Sequence, residues 1–299
     1  MNSKVFLENL KDVPFIFEAQ LSLFTTYRVG GIAEVLALPE KEEQIKELKN
    51  FSKKNHLDFR VLGLGSNILV SDFGLPGITC CLRNFKGIRI DGQKVTALAG
   101  TALDEVVRAS IDCGLAGLEN LSGIPGSVGG AVFMNAGAFK AETFDKLISF
   151  TVLNAKGEIQ EFKKEDVKYE YRKVWGIENC VILSATWVLD VGEKEILKAR
   201  REEILQSRKA KQPLEYPSAG SVFKRPVGAY ASKLIDDCGL RGLSVGGAQV
   251  STKHAGFIIN YQNATAQDIY NLIKEVQKIV KEKTGFQLEP EQIFWGKFK

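Results

Sequence analysis

The spacing of apolar residues changes period several times along the chain. Residues 39–51 (PEKEEQIKELKNF) set Ile45, Leu48 and Phe51 at helical spacing on a charged background, which predicts an amphipathic helix. Residues 59–70 (FRVLGLGSNILV) read as strand, glycine-bearing turn, strand. Residues 101–113 predict a helix capped by Thr101, with Asp104 three positions on and Gly114 as its stop. Two alternating runs between Ser149 and Phe162 flank the segment 154–157 (NAKG), a hairpin signal, and residues 180–189 read as a further strand. Residues 193–211 form a basic helical pattern expected to turn Ile196, Leu197, Ile204 and Leu205 inward. A longer one, 265–283, sets Ile269, Leu272, Ile273, Val276, Ile279 and Val280 on one face. Between them, residues 214–226 are rich in Pro, Ser and Gly, as suits a boundary or a functional loop. The mixture lacks a regular strand–helix–strand repeat, so the expected class is α+β in several pieces.

Length and composition narrow the function classes. A chain of 299 residues can build two or three domains, each with a core of its own. The net charge of +4 is small for that length, and no dense Lys/Arg run is interleaved with aromatics, which argues against a dedicated nucleic-acid binder. No apolar segment approaches membrane-spanning length. The stretch MNSKVFLENLKDVPFIF has only a short apolar run, 13–17, broken by Pro14 and followed by Glu18, so no secretory leader is expected. The cysteines at 80, 81, 113, 180 and 238 are odd in number and scattered, as expected of reduced, buried thiols in a cytoplasmic protein. With His56 and His254 as its only histidines and no CxxC pair, the chain is expected to hold no metal site.

The candidate chemistry begins with two glycine-rich segments. Residues 122–138 (SGIPGSVGGAVFMNAGA) are nearly stripped of bulk, with Gly126, Ser127, Gly129 and Gly130 in sequence and Asn135 almost the only strong hydrogen-bonding side chain. Such a run can present bare amides to a phosphate or flat cofactor, or can be a tight turn between packed elements. Residues 62–72 (LGLGSNILVSD) are not a dinucleotide fingerprint, because Ile68 stands where the third glycine would fall, and no Lys-Ser/Thr pair makes a phosphate-binding lysine loop. Gly63, Gly65, Ser66 and Asn67 still offer an amide nest or an ordinary β-turn. In residues 217–226 (PSAGSVFKRP), Ser221 follows Gly220 and could project its hydroxyl into a cleft, with Lys224 and Arg225 beside it. No histidine is near it in sequence, which disfavours an activated-serine hydrolase. The YEYR run 169–172 and the LEPE run 288–291 are, taken alone, ordinary surface turns.

The ordered series is different. GLGSNILVSD, IPGSVGGAVFMNAGA, YEYR, SAGSVFK, GGAQVSTKHAGFIIN and LEPE, preceded by TTYRVGG at 25–31, resembles the UDP-N-acetylenolpyruvoylglucosamine reductases, flavoenzymes that make UDP-N-acetylmuramate for bacterial cell walls. The resemblance spans about the whole chain and is to the shorter type, which lacks an extra tyrosine loop over the substrate. It implies an α+β fold, with a two-part FAD-binding domain like that of vanillyl-alcohol oxidase and a smaller α+β substrate-binding domain. The corresponding boundaries are 1–75 and 76–212 for the two FAD subdomains, 213–287 for the substrate domain, and 288–299 for a C-terminal segment returning to the active site.

The resemblance also implies roles. Gly63, Gly65, Ser66 and Asn67 would meet the FAD pyrophosphate, Gly126, Ser127, Gly129, Gly130 and Asn135 would line the cofactor, and Arg28 and Gly30 would help close the pocket. The reaction it implies uses NADPH to reduce FAD and then passes hydride to the enolpyruvyl double bond of UDP-N-acetylglucosamine enolpyruvate. Arg172 and Glu291 would stabilise charge developing on the carboxylate, and Ser221 would give a proton to the α-carbon. Lys211 matches a substrate lysine loosely, and Lys224 and Arg225 are substrate-binding candidates by position and charge. Small-molecule partners only, and a monomer or weak oligomer, are expected. The chain departs from the family pattern at Val174, where a serine is common, at Phe139-Lys140-Ala141, where a glycine pair is usual, and at Ser232, where glycine is common. A related FAD oxidase of alcohols or hydroxy acids, and a non-catalytic nucleotide-sugar or flavin-binding module, are the alternatives. The first predicts flavin reduced by a hydroxy acid, and the second needs neither Ser221 nor Glu291.

Overall fold

Strand Leu147–Leu153 is an inner strand of the largest sheet, and its Leu147, Phe150, Val152 and Leu153 all turn into the core. It pairs antiparallel with Ile159–Lys163, and the turn between them is built as its sequence demands. Asn154 Oδ1 accepts from the amides of Lys156 and Glu158, and Gly157 takes φ +85. Phe150 and Phe162 sit opposite each other with stacked rings 5.5 Å apart. The five-stranded sheet continues through Val181–Val188, Lys94–Leu98 and Ile88–Asp91, all antiparallel.

The computed structural model describes residue 10 and residues 12–299. Most of the N-terminal stretch read for a leader, residues 1–9 and 11, lies outside the described residues. The chain forms two compact units. The first takes residues to Phe17, Val35–Leu64 and Pro76–Gln206; the second takes Glu18–Glu34, Gly65–Leu75 and Ser207–Lys299. Each has one apolar core. The segments 18–34 and 65–75, grouped with 1–75 from sequence, thus pack with the C-terminal third.

In the first unit, helix α1 (Glu42–Lys54) buries Ile45, Leu48 and Phe51, as its spacing predicts. Phe59–Leu62 runs parallel to the strand carrying Ile78–Cys81. Helix α2 (Leu103–Asp112) is placed as expected, but its cap is not Thr101. Ala102 is the N-cap residue, without a side-chain cap. The Thr101 hydroxyl instead exchanges hydrogen bonds with the Gly87 peptide, and Asp104 binds Arg201 and the Gly123 amide. Helix α3 is short, Val128–Phe133, and lies inside the long glycine segment. In helix α4 (Lys194–Lys211), Leu197 and Ile204 are buried as expected, but Ile196 is 62% exposed. Seven residues separate Leu197 from Ile204, so they share a stripe from which Ile196 is rotated by about 100°.

The second unit is a small α+β layer. Strands Ser244–Val245, Ala248–Val250 and Ile258–Asn260 form an antiparallel sheet, and Ile293–Trp295 pairs parallel with Ile68–Val70. Helix α5 (Ala231–Asp237) and helix α6 (Ala266–Thr284) add Ile235, Ile269, Leu272, Ile273, Val276 and Val280 to the core. Thr265 and Asp268 form a reciprocal capping box, and Gly285 ends α6 at φ +78. The Asp72 carboxylate accepts from the amides of Ala266 and Gln267 at the same helix start. All five cysteines are free thiols; three are buried, but Cys113 is exposed and Cys180 only half-buried, against the expectation that all are interior. Among the described residues no helix is long and apolar enough to cross a membrane.

Candidate active site

Gly63, Gly126, Ser127, Gly129, Gly130, Asn135 and Arg172 belong to the first unit. Ser127 caps α3, its hydroxyl accepting from the Gly130 amide at 3.3 Å. The preceding two amides are also engaged: Val128 N–H donates to Thr101 O and Gly129 N–H to Ala99 O, both at 2.9 Å. This helix start is therefore closed by the protein's own acceptors. Gly129 serves close packing, since a Cβ there would come 3.0 Å from the Ala99 Cβ, and Gly63 backs against the cap, where a Cβ would come within 2.2 Å of the Ser127 hydroxyl.

Beyond α3 the backbone becomes strained. Asn135, Phe139, Lys140 and Arg172 all adopt positive φ. Phe139 and Lys140 form the two-residue turn between Gly137–Ala138 and Ala141–Glu142, where positive φ at both positions suits glycine. That is the physical reason a glycine pair suits this place, and this chain holds the same turn with bulkier residues. Arg172 lies in the turn between Tyr169–Glu170 and Lys173–Val174. Its guanidinium donates to Gly137 O at 2.6 Å and Asn135 O at 3.2 Å, and rests over the Tyr171 ring. Asn135 is fully buried, and its side chain is committed within the protein. It donates to Glu142 Oε2 at 2.7 Å and Glu170 O at 3.2 Å, and accepts from the Phe144 amide. Those bonds occupy the side chain proposed from sequence to meet the cofactor and make it part of the support for Arg172. Val174, another departure, is buried in this unit's core.

The second unit holds Arg28, Gly30, Gly65, Ser66, Asn67, Lys211, Ser221, Lys224, Arg225 and Glu291. Segment 221–224 runs between two partners. Ser221 bridges Phe257 and Phe223 bridges Pro290, while Val222 N–H donates to Gly256 O and Glu291 N–H donates to Val222 O at 2.8 Å. The backbones of Ser221 and Glu291 thus lie on adjacent, directly bonded segments. Asn67 joins them, its Nδ2 donating to Glu291 O at 3.2 Å while Ile293 N–H donates to Asn67 O. Gly65 O accepts from Thr26 N–H, so the bonds that hold this loop run through its carbonyls and the Asn67 side chain and leave the backbone amides of 65–67 uncommitted by them. Gly65 itself has φ +68, and a Cβ there would lie 2.3 Å from Phe24 O. Gly30, at φ +122, backs against Val70, and Arg28 is exposed.

Of the substrate candidates, Lys224 is paired with Glu289, Arg225 lies 4.7 Å over the Tyr230 ring, and Lys211 is exposed at the end of α4. Sequence reasoning missed a buried network that fixes this region. Tyr27 Oη donates to Gln292 Oε1 at 3.1 Å, Gln292 Nε2 donates to Ala219 O at 3.0 Å, and Asn260 Nδ2 donates to Tyr27 O. Burial pushes the Tyr27 phenol far above its ordinary pKa, so it is a permanent donor. Tyr27 lies inside the TTYRVGG run and Gln292 directly follows Glu291, which was the available signal.

Residues 212–295 match the model for the UDP-N-acetylenolpyruvoylglucosamine reductase C-terminal domain, and residues 33–163 match an FAD-binding domain. The UDP-N-acetylenolpyruvoylglucosamine reductase of Enterococcus faecalis is 43% identical over 97% of this chain and 97% of its own length. The chain belongs to the UDP-N-acetylenolpyruvoylglucosamine reductase family. A second member, from Limosilactobacillus reuteri, is 44% identical over 95% of this chain and 96% of its own. The crystal structure of the Thermus caldophilus enzyme superposes with a TM-score of 0.82 at 35% identity, covering 95% of this chain and 99% of that one. A solvent-stable cholesterol oxidase shares the fold alone, at 16% identity and a TM-score of 0.50 over 60% of this chain. The fold is thus α+β, with an FAD-binding domain of the vanillyl-alcohol-oxidase kind and the family's own C-terminal domain.

Proposed function

We propose that this chain catalyses the NADPH-dependent reduction of UDP-N-acetylglucosamine enolpyruvate to UDP-N-acetylmuramate through FAD, in peptidoglycan precursor synthesis. The observation that carries this is the full-length match, 43% identity over 97% of both chains, to an enzyme of that family. The residues fit the cofactor. Gly65 tolerates no side chain, and the amides of Gly65, Ser66 and Asn67, uncommitted by the bonds that hold their loop, suit a diphosphate. The chemistry that bound FAD supplies is hydride transfer, from NADPH to the enolpyruvyl double bond.

The remaining work falls to side chains. Negative charge develops on the substrate carboxylate as hydride arrives at the β-carbon, and a fixed guanidinium lowers the cost of that charge. Arg172 has that character: it is held by two carbonyl acceptors, which orient it without cancelling its charge. Glu291 assists at the same carboxylate. Ser221 gives a proton to the α-carbon; a neutral hydroxyl serves because an enolate is strongly basic and the donor is held in place. The bonding of Glu291 to Val222 and Asn67 supports placing Ser221, Glu291 and the diphosphate loop in one site. On this reading Arg28 and Gly30 border the cofactor, and Lys211, Lys224 and Arg225 serve the substrate. The enzyme is cytoplasmic, a monomer or weak oligomer, and contributes to cell shape and division through wall synthesis.

The test is stopped-flow absorbance of the purified yellow protein. NADPH should bleach the flavin and the enolpyruvyl sugar should restore it. Ser221→Ala should leave the bleaching unchanged and slow restoration by about 10²–10⁴-fold. A protein that neither carries nor takes up FAD, or a Ser221→Ala variant restored at the wild-type rate, contradicts the proposal.

A further inference from the structure

The support beneath Arg172 converges on one carboxylate. Glu142 stands at the end of the strained hairpin, its backbone paired with Gly137, the residue whose carbonyl holds Arg172 Nη2. One carboxylate oxygen, Oε1, lies 4.0 Å from Arg172 Nη1. The other, Oε2, accepts from Asn135 Nδ2 at 2.7 Å, and Asn135 in turn offers its own carbonyl to Arg172 Nη1. The Glu142 amide donates to Asp145 Oδ2 at 2.8 Å, so the residue is tied at both ends. Arg172 and Glu142 are partly buried, with 14% and 33% of their side chains exposed, where charge attraction is screened less than in water.

We propose that Glu142 is a positioning residue for Arg172, aiming its guanidinium by direct attraction and by locking Asn135. The proposal rests on the reading of Arg172 as the group that meets the substrate carboxylate. Glu142 adds a charge attraction at one edge of the guanidinium to the two carbonyl bonds and the Tyr171 ring contact. The strained backbone has the same consequence: Asn135 at φ 40 and Arg172 at φ 58 bring a carbonyl and a guanidinium together that relaxed backbones would not. A misplacement of about 1 Å at such a donor can cost about 10²-fold in rate.

The test uses FAD-loaded enzyme and follows flavin reoxidation by the enolpyruvyl sugar, with flavin reduction by NADPH and FAD content as controls. Arg172→Ala should slow reoxidation alone. Glu142→Gln preserves shape and the acceptor for Asn135 but removes the charge, and should slow reoxidation at least about tenfold with both controls unmoved. In the Arg172→Ala background, the same Glu142→Gln change should add less than about twofold, because its target is gone. Glu142→Asp, which keeps the charge one methylene short, should fall between wild type and Glu142→Gln and serves if the latter folds poorly. Wild-type reoxidation in Glu142→Gln, or a tenfold loss that persists in the Arg172→Ala background, overturns the positioning role while the clamp reading survives. Unchanged reoxidation in Arg172→Ala removes the clamp reading itself and the proposal with it.

Discussion

The two glycine-rich segments look alike in sequence and do opposite things with their backbone. In 126–130 the amides of Val128, Gly129 and Gly130 are taken by Thr101, Ala99 and Ser127, and glycine serves to let packed elements touch. In 65–67 the loop is held through the carbonyls of Gly65 and Asn67 and the Asn67 side chain, and glycine serves a left-handed turn whose backbone amides are left to other partners. Glycine content therefore marks close backbone approach, and the hydrogen-bond ledger decides whether protein or ligand makes it. On the proposed reading, the phosphate cradle is the shorter, less conspicuous loop.

Substitutions can break or sharpen that contrast. The largest effect is expected from Gly65→Ala. The positive φ costs about 1–2 kcal/mol and the Cβ would collide with Phe24 O, so urea unfolding should register a loss of about 3 kcal/mol or more. Next is Asp104→Asn, at the entry to the other segment. Asp104 accepts from the Gly123 amide and from both Nη atoms of Arg201. Burial raises its pKa, but these bonds outweigh that and hold the carboxyl below its usual range. Its stabilisation is therefore present above the ordinary carboxylate pKa of about 3.9 and is lost as pH falls through the depressed value. Asp104→Asn should cost about 2 kcal/mol at neutral pH and remove that part of the acid dependence, read from urea midpoints across pH.

Smaller effects test the packing reading of 126–130. Ser127→Ala should cost about 1 kcal/mol as a lost cap. In its background Gly63→Ala should become much less harmful, because the 2.2 Å contact to the hydroxyl disappears and the next lies at 3.3 Å. Gly130→Ala should be the mildest. It is exposed, φ is not positive, and the nearest atom to its Cβ is 3.4 Å away, so a gain of about 0.5 kcal/mol is expected from helix propensity. A Gly130→Ala variant as damaged as Gly65→Ala would end the contrast.

Helices α1 and α6 and the 147–163 hairpin were legible because their signals are local: apolar period, and an Asn–Gly turn. The Thr101 cap failed because Gly87, fourteen residues away, supplies a competing partner for its hydroxyl. Asn135 stood out as the one strong hydrogen-bonding side chain in a bare segment, yet its partners are Glu142, Phe144 and Glu170. The motif series named the family. It left the supports unread, since Tyr27 and Gln292 are 265 positions apart and meet only in the fold.

Hydrogen–deuterium exchange of FAD-stripped and FAD-loaded protein, resolved to single amides, tests the central contrast most directly. The amides of Gly65, Ser66 and Asn67 should exchange quickly in the stripped protein and slow at least about tenfold on loading, while those of Val128, Gly129 and Gly130 are already protected in both states. Protection arising at 128–130 on loading, with 65–67 unmoved, would contradict it.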